Sequence, residues 1–178
     1  MILLVLHGAP ATGKYTIGRE LAAVTGLQLY HNHDVVDPIL ERHLFGSAEF
    51  VDERDRAWRT GLRERLRAGG RGVVFTFNPE SSVPQEFVDW VFQELPGETN
   101  SALHSIELTA TEAAIEVRLA SAQRKTFRKL TDLALYRFLR DSGAFATPVV
   151  PRVDLRIDTE ICTPTEAAQA IAAKFNLA

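Results

Sequence analysis

Short apolar runs alternate with stretches of helical period along the whole chain. Residues 2–6 (Ile-Leu-Leu-Val-Leu) are apolar without alternation, the pattern of a strand covered on both faces. Gly8 to Gly13 break that run. Lys14–Thr25 then places apolar residues at 17, 21 and 24, and Gly26 stands where a helix C-cap is expected. Residues 27–30 predict a second strand, and 34–44 and 49–68 predict helices, the latter stopped by Gly69-Gly70. The clearest strand is 72–77 (Gly-Val-Val-Phe-Thr-Phe), followed by a helix over 84–95 that Pro96-Gly97 should end. A fourth strand is expected over 103–108, and Thr109 with Glu112 forms a capping-box pattern for the next helix. Beyond it come a helix over 132–140, a strand over 153–157 and a last helix over 167–175. That last helix is introduced by Thr163 as N-cap, Pro164 at the first helical position and Glu166 as capping-box acid.

Strands alternating with helices imply an α/β fold, a parallel sheet covered on both faces with right-handed crossovers. With no linker or low-complexity tract, residues 1–178 read as one domain. Ligands of such sheets bind at the carboxyl ends of the strands, so chemistry is sought in 8–16, 31–34, 78–82, after 109, and in 159–163. Composition narrows the class. Hydrophobic residues make up 46% of the chain, which excludes disorder. The balance of 20 Lys+Arg against 23 Asp+Glu argues against a strongly basic nucleic-acid footprint. The single Cys162 has no partner for an internal disulfide and suits a reducing cytoplasm. The apolar opening stops at His7 without a basic lead, too short for a signal-peptide core or a membrane span.

The most specific motif is Gly8-Ala9-Pro10-Ala11-Thr12-Gly13-Lys14-Tyr15-Thr16, set between the first strand and the first helix. Two glycines frame four residues and a lysine follows, the Walker A pattern. Such a turn points successive backbone N–H groups inward, the helix start adds positive potential, and Lys14 meets the terminal phosphates. The pattern asks for Ser or Thr directly after the lysine, to hold Mg²⁺, but here Tyr15 stands there and Thr16 comes one place later. Strand three, which ordinarily ends in an acid, runs from Val73-Val74-Phe75 into Thr76-Phe77-Asn78-Pro79 with no carboxylate before Glu80.

On these residues the chain resembles the small P-loop kinases: shikimate, gluconate and nucleoside monophosphate kinases and chloramphenicol phosphotransferase. Gly8, Pro10, Gly13, Lys14 and Thr16 match the adenylate-kinase form of the loop. Tyr30-His31-Asn32-His33 is similar to a branch of ATPase-like or kinase-like proteins, which implies the scaffold and not the substrate. The resemblance implies a three-layer P-loop fold, with a five-stranded parallel sheet of order 2-3-1-4-5 and a small lid over about 118–131. It also implies ATP with Mg²⁺ and a small-molecule phosphoryl acceptor. The metal would be held through nucleotide oxygens and waters, with Thr16 or Asp34 as candidate protein contacts.

Shikimate and gluconate kinases end their second strand in Asp-x-Asp, where this chain has His31 and His33 followed by Asp34. Either Asp34 or one histidine would accept the acceptor's proton, or Asp34 is the N-cap of the next helix and the histidines satisfy backbone groups. Asp34 is taken as the catalytic candidate and His31 and His33 as substrate contacts. A zinc site built on His7, His31 and His33 lacks evident further ligands. By the same resemblance Arg118 lies against the base, and Arg124, Lys125, Arg128 and Lys129 form the lid, Arg124 assisting transfer. Arg56 and Arg59 of the long arginine-rich helix are candidates for an anionic acceptor, and Trp58 is expected in the core. The leading expectation is an ATP-dependent phosphotransferase acting on a small hydroxyl-bearing molecule. A nucleotide-binding regulatory domain with little catalysis, or a nucleotide or polynucleotide 5′-end kinase, are the alternatives.

Overall fold

The structure, a computed structural model, describes residues 1–121 and 130–177. Among them, five parallel strands form one sheet in the order β2-β3-β1-β4-β5: β1 (Ile2–His7), β2 (Gln28–His31), β3 (Gly72–Thr76), β4 (Ala102–Thr109) and β5 (Leu155–Asp158). This is the expected order. The all-parallel sheet is covered by helices on both sides because its strands carry apolar side chains on both faces.

β1 shows the division. Leu3 and Val5 face a core with Phe50, Trp58 and Leu62 of α3 (Ala48–Arg67) and with Phe87. Leu4 and Leu6 face the opposite core, with Ile17 and Leu21 of α1 (Lys14–Thr25) and Ala168 and Ile171 of α8 (Pro164–Lys174). All four β1 side chains are fully buried, each contributing about 1.5–3 kcal/mol of transfer free energy. The remaining helices are α2 (Asn32–Ile39), α4 (Gln85–Asp89), α5 (Leu95–Thr99), α6 (Glu112–Leu119) and α7 (Leu133–Asp141).

Several boundaries differ from the expected ones. The helix after β2 starts at Asn32 and stops at Ile39 instead of 44; Pro38 supplies no amide for its last turn. The helix after β3 runs past Pro96-Gly97. A π turn, Trp90–Glu94, shifts the hydrogen bonding so that Pro96 falls in the first turn of α5, where its missing N–H costs nothing. Thr109 still belongs to β4, and the cap of α6 is Thr111, whose side chain accepts from Ala114 N at 3.3 Å. Thr163, Pro164 and Glu166 cap α8 as read from the sequence.

Candidate active site

The loop between β1 and α1 is shaped by backbone geometry that few residues tolerate. Gly8 has φ +137°, and a Cβ there would lie 2.2 Å from the Leu108 carbonyl oxygen, so strand β4 leaves room only for glycine. At the apex Ala11 sits in the left-handed region at φ 63°, a conformation non-glycine residues hold mainly at functional turns. Thr12, 1% exposed, ties the loop by donating its hydroxyl to Ala9 O at 2.9 Å. Ser47, Thr111, Asp132 and Thr163 cap α3, α6, α7 and α8 with their side chains, whereas α1 begins after Gly13 with no side-chain cap. Its first amides are thus left for an anion. Lys14 Nζ lies across the loop, 2.7 Å from both Gly8 O and Ala9 O. The geometry fits an anion such as a phosphate group, which the 8–13 backbone and Lys14 could hold.

Register sets what stands beside the loop. His31 of β2 and Leu6 of β1 both pair with Thr76, so three strand ends finish at one level. His31, 4% exposed, has Nδ1 2.6 Å from Thr76 Oγ1, and the Tyr15 ring packs on its ring at 4.6 Å between centroids. Tyr15 therefore fills the place of the usual metal-binding hydroxyl with a ring packed, tilted by 43°, against a histidine. The residue ending β3 is bound to that histidine rather than being a carboxylate. Thr16 is exposed at the cleft, where its hydroxyl could meet a metal ion. His33 follows, its ring 5.4 Å from that of His31 and its Nδ1 2.7 Å from Asp37 Oδ1.

Asp34 is the third residue of α2 and not its N-cap. Its carboxylate accepts from the backbone N of His31 at 3.2 Å, and it does not line the cleft. No group of three or more His, Cys, Asp or Glu gathers as a metal-binding cluster among the described residues. His7 is instead paired with Ser105, its Nε2 3.0 Å from Ser105 Oγ. It is buried, and desolvation pushes its pKa down from 6.5 to about 4, partly opposed by Glu107.

One cleft of about 1330 Å³ passes from the loop, across His31 and His33, to Arg54, Trp58 and Glu80. Ligand pockets commonly hold one molecule in roughly 300–1,000 Å³, so this volume suits two ligands side by side. Beside the loop Arg118 donates through Nη1 to Thr159 Oγ1 at 2.7 Å and through Nη2 to Thr159 O at 2.8 Å, which joins α6 to the loop after β5. Arg124, Lys125, Arg128 and Lys129 lie outside the described residues.

The arginines expected at the acceptor end do not line it. Arg56 is largely exposed and near Asp52, at 3.8 Å. Arg59 pairs with Asp55 at 2.7 Å and covers the Trp90 ring at 4.7 Å. Arg54 takes that place. It is 2% exposed, with Nη1 3.1 Å from Glu80 Oε1 and 2.9 Å from Ser82 Oγ. The signal was present in the sequence: Phe50, Arg54, Trp58 and Leu62 recur every four residues, and a charge within a core-facing stripe needs a buried partner. Trp58 is in the core as expected, 1% exposed, yet it also borders the cleft.

No protein-family model and no curated protein matches the sequence. Solved structures match over nearly the full length. A shikimate kinase from Acinetobacter baumannii in complex with shikimate is 19% identical, with 99% of this chain and 93% of that chain covered and a TM-score of 0.66. A shikimate kinase from Bacteroides thetaiotaomicron is 14% identical, with 98% of each chain covered and a TM-score of 0.69. A gluconokinase from Sinorhizobium meliloti 1021 is 17% identical, with 98% and 91% covered and a TM-score of 0.62. Among the described residues no helix is long and apolar enough to cross a membrane. With the sheet order, the phosphate-type loop and these likenesses together, the chain has the fold of the small P-loop kinases.

Proposed function

We propose that the protein is an ATP-dependent phosphotransferase acting on a small hydroxyl-bearing molecule. The observation that carries this reading is a single cleft that extends from an uncapped, glycine-framed helix start to Arg54, Trp58, Asn78 and Glu80. The backbone of 8–13 and Lys14 bind the β- and γ-phosphates, and Arg118 with Thr159 borders the base. Lys14 leaves the loop carbonyls it now bonds and neutralises charge on the transferring group. Mg²⁺ bound with the nucleotide supplies further charge neutralisation, with Thr16 as its protein contact. Transfer joins the acceptor oxygen to the γ-phosphorus, breaks the bond from that phosphorus to the β–γ bridging oxygen, and releases the acceptor's proton. Because Asp34 is used in the helix cap outside the cleft, His31 is the better proton acceptor. Thr76 fixes its Nδ1 side and Tyr15 its ring plane.

One observation favours a second reading, a nucleotide-binding domain with little turnover. The end of β3 carries Thr76 bound to His31 in place of an acid, and Tyr15 replaces the hydroxyl expected after the lysine. Incubation with γ-labelled ATP, Mg²⁺ and a library of small alcohols separates the two. The kinase reading expects label transferred to one chemical class. Tight ATP binding with no transfer to any compound would leave the binding-domain reading.

A further inference from the structure

The far end of the cleft combines an ion-paired arginine with unpartnered neutral groups. Arg54 gives Nη1 to Glu80 Oε1 and Ser82 Oγ and Nη2 to Ser82 O, and its guanidinium lies over Phe50 at 5.0 Å and Trp58 at 4.7 Å. Glu80 accepts in turn from Ser82 N at 2.8 Å and from Ser82 Oγ. An arginine recognises a ligand carboxylate through its paired N–H fork. Here both Nη groups are already engaged, Nη1 by Glu80 and Ser82 Oγ and Nη2 by Ser82 O, and a second carboxylate brought beside them would face Glu80 in a site shielded from water. Among the described residues that line this end, Arg54 and Glu80 are the charged pair, and they cancel.

The neutral groups point the other way. Trp58 Nε1, Asn32 Oδ1 and Asn78 Oδ1 are buried atoms with no hydrogen-bond partner among the described residues, and all three residues line the cleft. They present one donor and two acceptors, and Arg54 Nε, likewise buried without a partner among the described residues, adds a second donor. A carboxylate only accepts and leaves both asparagine oxygens unmatched, whereas hydroxyls both donate and accept, so a molecule with several can meet donors and acceptors alike. Val36, Leu40 and Phe45 supply an apolar wall for the carbon skeleton.

We infer that this chamber selects an uncharged, hydroxyl-rich molecule, a neutral sugar, polyol or cyclitol, over its carboxylated counterpart, with Trp58 Nε1, Asn32 and Asn78 as the direct contacts. The inference rests on the kinase reading for the division of the cleft into two ligand sites. A chamber built to bond hydroxyls discriminates strongly, because a mismatched ligand leaves its buried polar groups unpaired.

The test is calorimetric binding to the full chain, saturated with a non-hydrolysable ATP analogue and Mg²⁺, across matched neutral and acidic pairs: glucose and gluconate, myo-inositol and quinate, glycerol and glycerate. At least one neutral member should bind ~10-fold or more tightly than its acid. Trp58→Phe, which keeps the ring over Arg54 but removes the N–H, should weaken that binding ~10-fold and leave the analogue's affinity unchanged. Tighter binding of the acids, no saturable binding of any neutral member, or full ligand affinity in folded Trp58→Phe would each overturn the inference. Neutral binding without phosphoryl transfer from ATP would keep the chamber assignment and reject the kinase reading. Transfer to an acid alone would do the reverse.

Discussion

Acid should weaken this protein through His7 before its carboxylates begin to titrate. The imidazole lies at the end of β1, directly before Gly8. It is 2% exposed, with a folded-state pKa of about 4 against an ordinary 6.5, burial being the main cause. Above about pH 6.5 neither state carries the proton, and the group adds no pH dependence. Below it the unfolded chain takes up a proton that the folded chain refuses until about pH 4, so stability falls as pH drops through that window. At about 1.4 kcal/mol per pK unit, the difference amounts to roughly 3 kcal/mol over the window and about 2 kcal/mol by pH 5. Glu98, held down at about 2 chiefly by its hydrogen bonds from Arg63 and Trp90, loses its contribution only as pH falls below the ordinary carboxylate range, outside the decisive part of the window. His104, also lowered by desolvation, titrates in the same direction, so the contribution of His7 is isolated by difference. Urea unfolding at pH 7.5, 6.5, 5.5 and 5.0 should show the decline in the parent. It should show a flatter profile in His7→Gln, whose amide can keep the bond to Ser105 without titrating. Parallel profiles for the two proteins over pH 5–6.5 would refute the reasoning.

Lys14→Ala removes a charge-assisted contact of about 1.5–3 kcal/mol, so ATP affinity should fall at least ~10-fold in a folded protein, measured by calorimetry. His31→Gln should lower transfer by ~100-fold with ATP affinity kept, while Asp34→Asn, which still accepts the His31 amide, should keep both transfer and stability within about 1 kcal/mol. A collapse of transfer in Asp34→Asn alone would return the proton-acceptor role to Asp34. Arg54→Met strands the Glu80 carboxylate in a buried site and should cost about 3 kcal/mol, lowering Tm by roughly 6–12 °C in a domain of this size. A shift below 2 °C would mean the pair contributes no net stability.

Local pattern alone determined the α/β class, the sheet order through the loop's resemblance, and the phosphate-binding turn. Each is written in contiguous residues: doubly apolar strands such as 2–6, and a glycine-framed loop whose lysine opens a helix. The far end of the cleft was legible only in outline, because its groups come from α2, α3 and the loop after β3 and meet only when the strands pair. The four-residue spacing of Phe50, Arg54, Trp58 and Leu62 marks Arg54 as core-facing, but its partner is not local. A rotation of about 200° along α3 separates a buried ion pair from a solvated one, and Glu80, 26 positions away, decides which arginine is neutralised. Asp34 looked like a helix cap or a base because spacing does not state where a helix begins. The register of His31 against Thr76 starts α2 two residues earlier and turns that carboxylate back onto the chain. Sequence specified the chemistry available, and tertiary structure decided which groups are desolvated, paired or left open to a ligand.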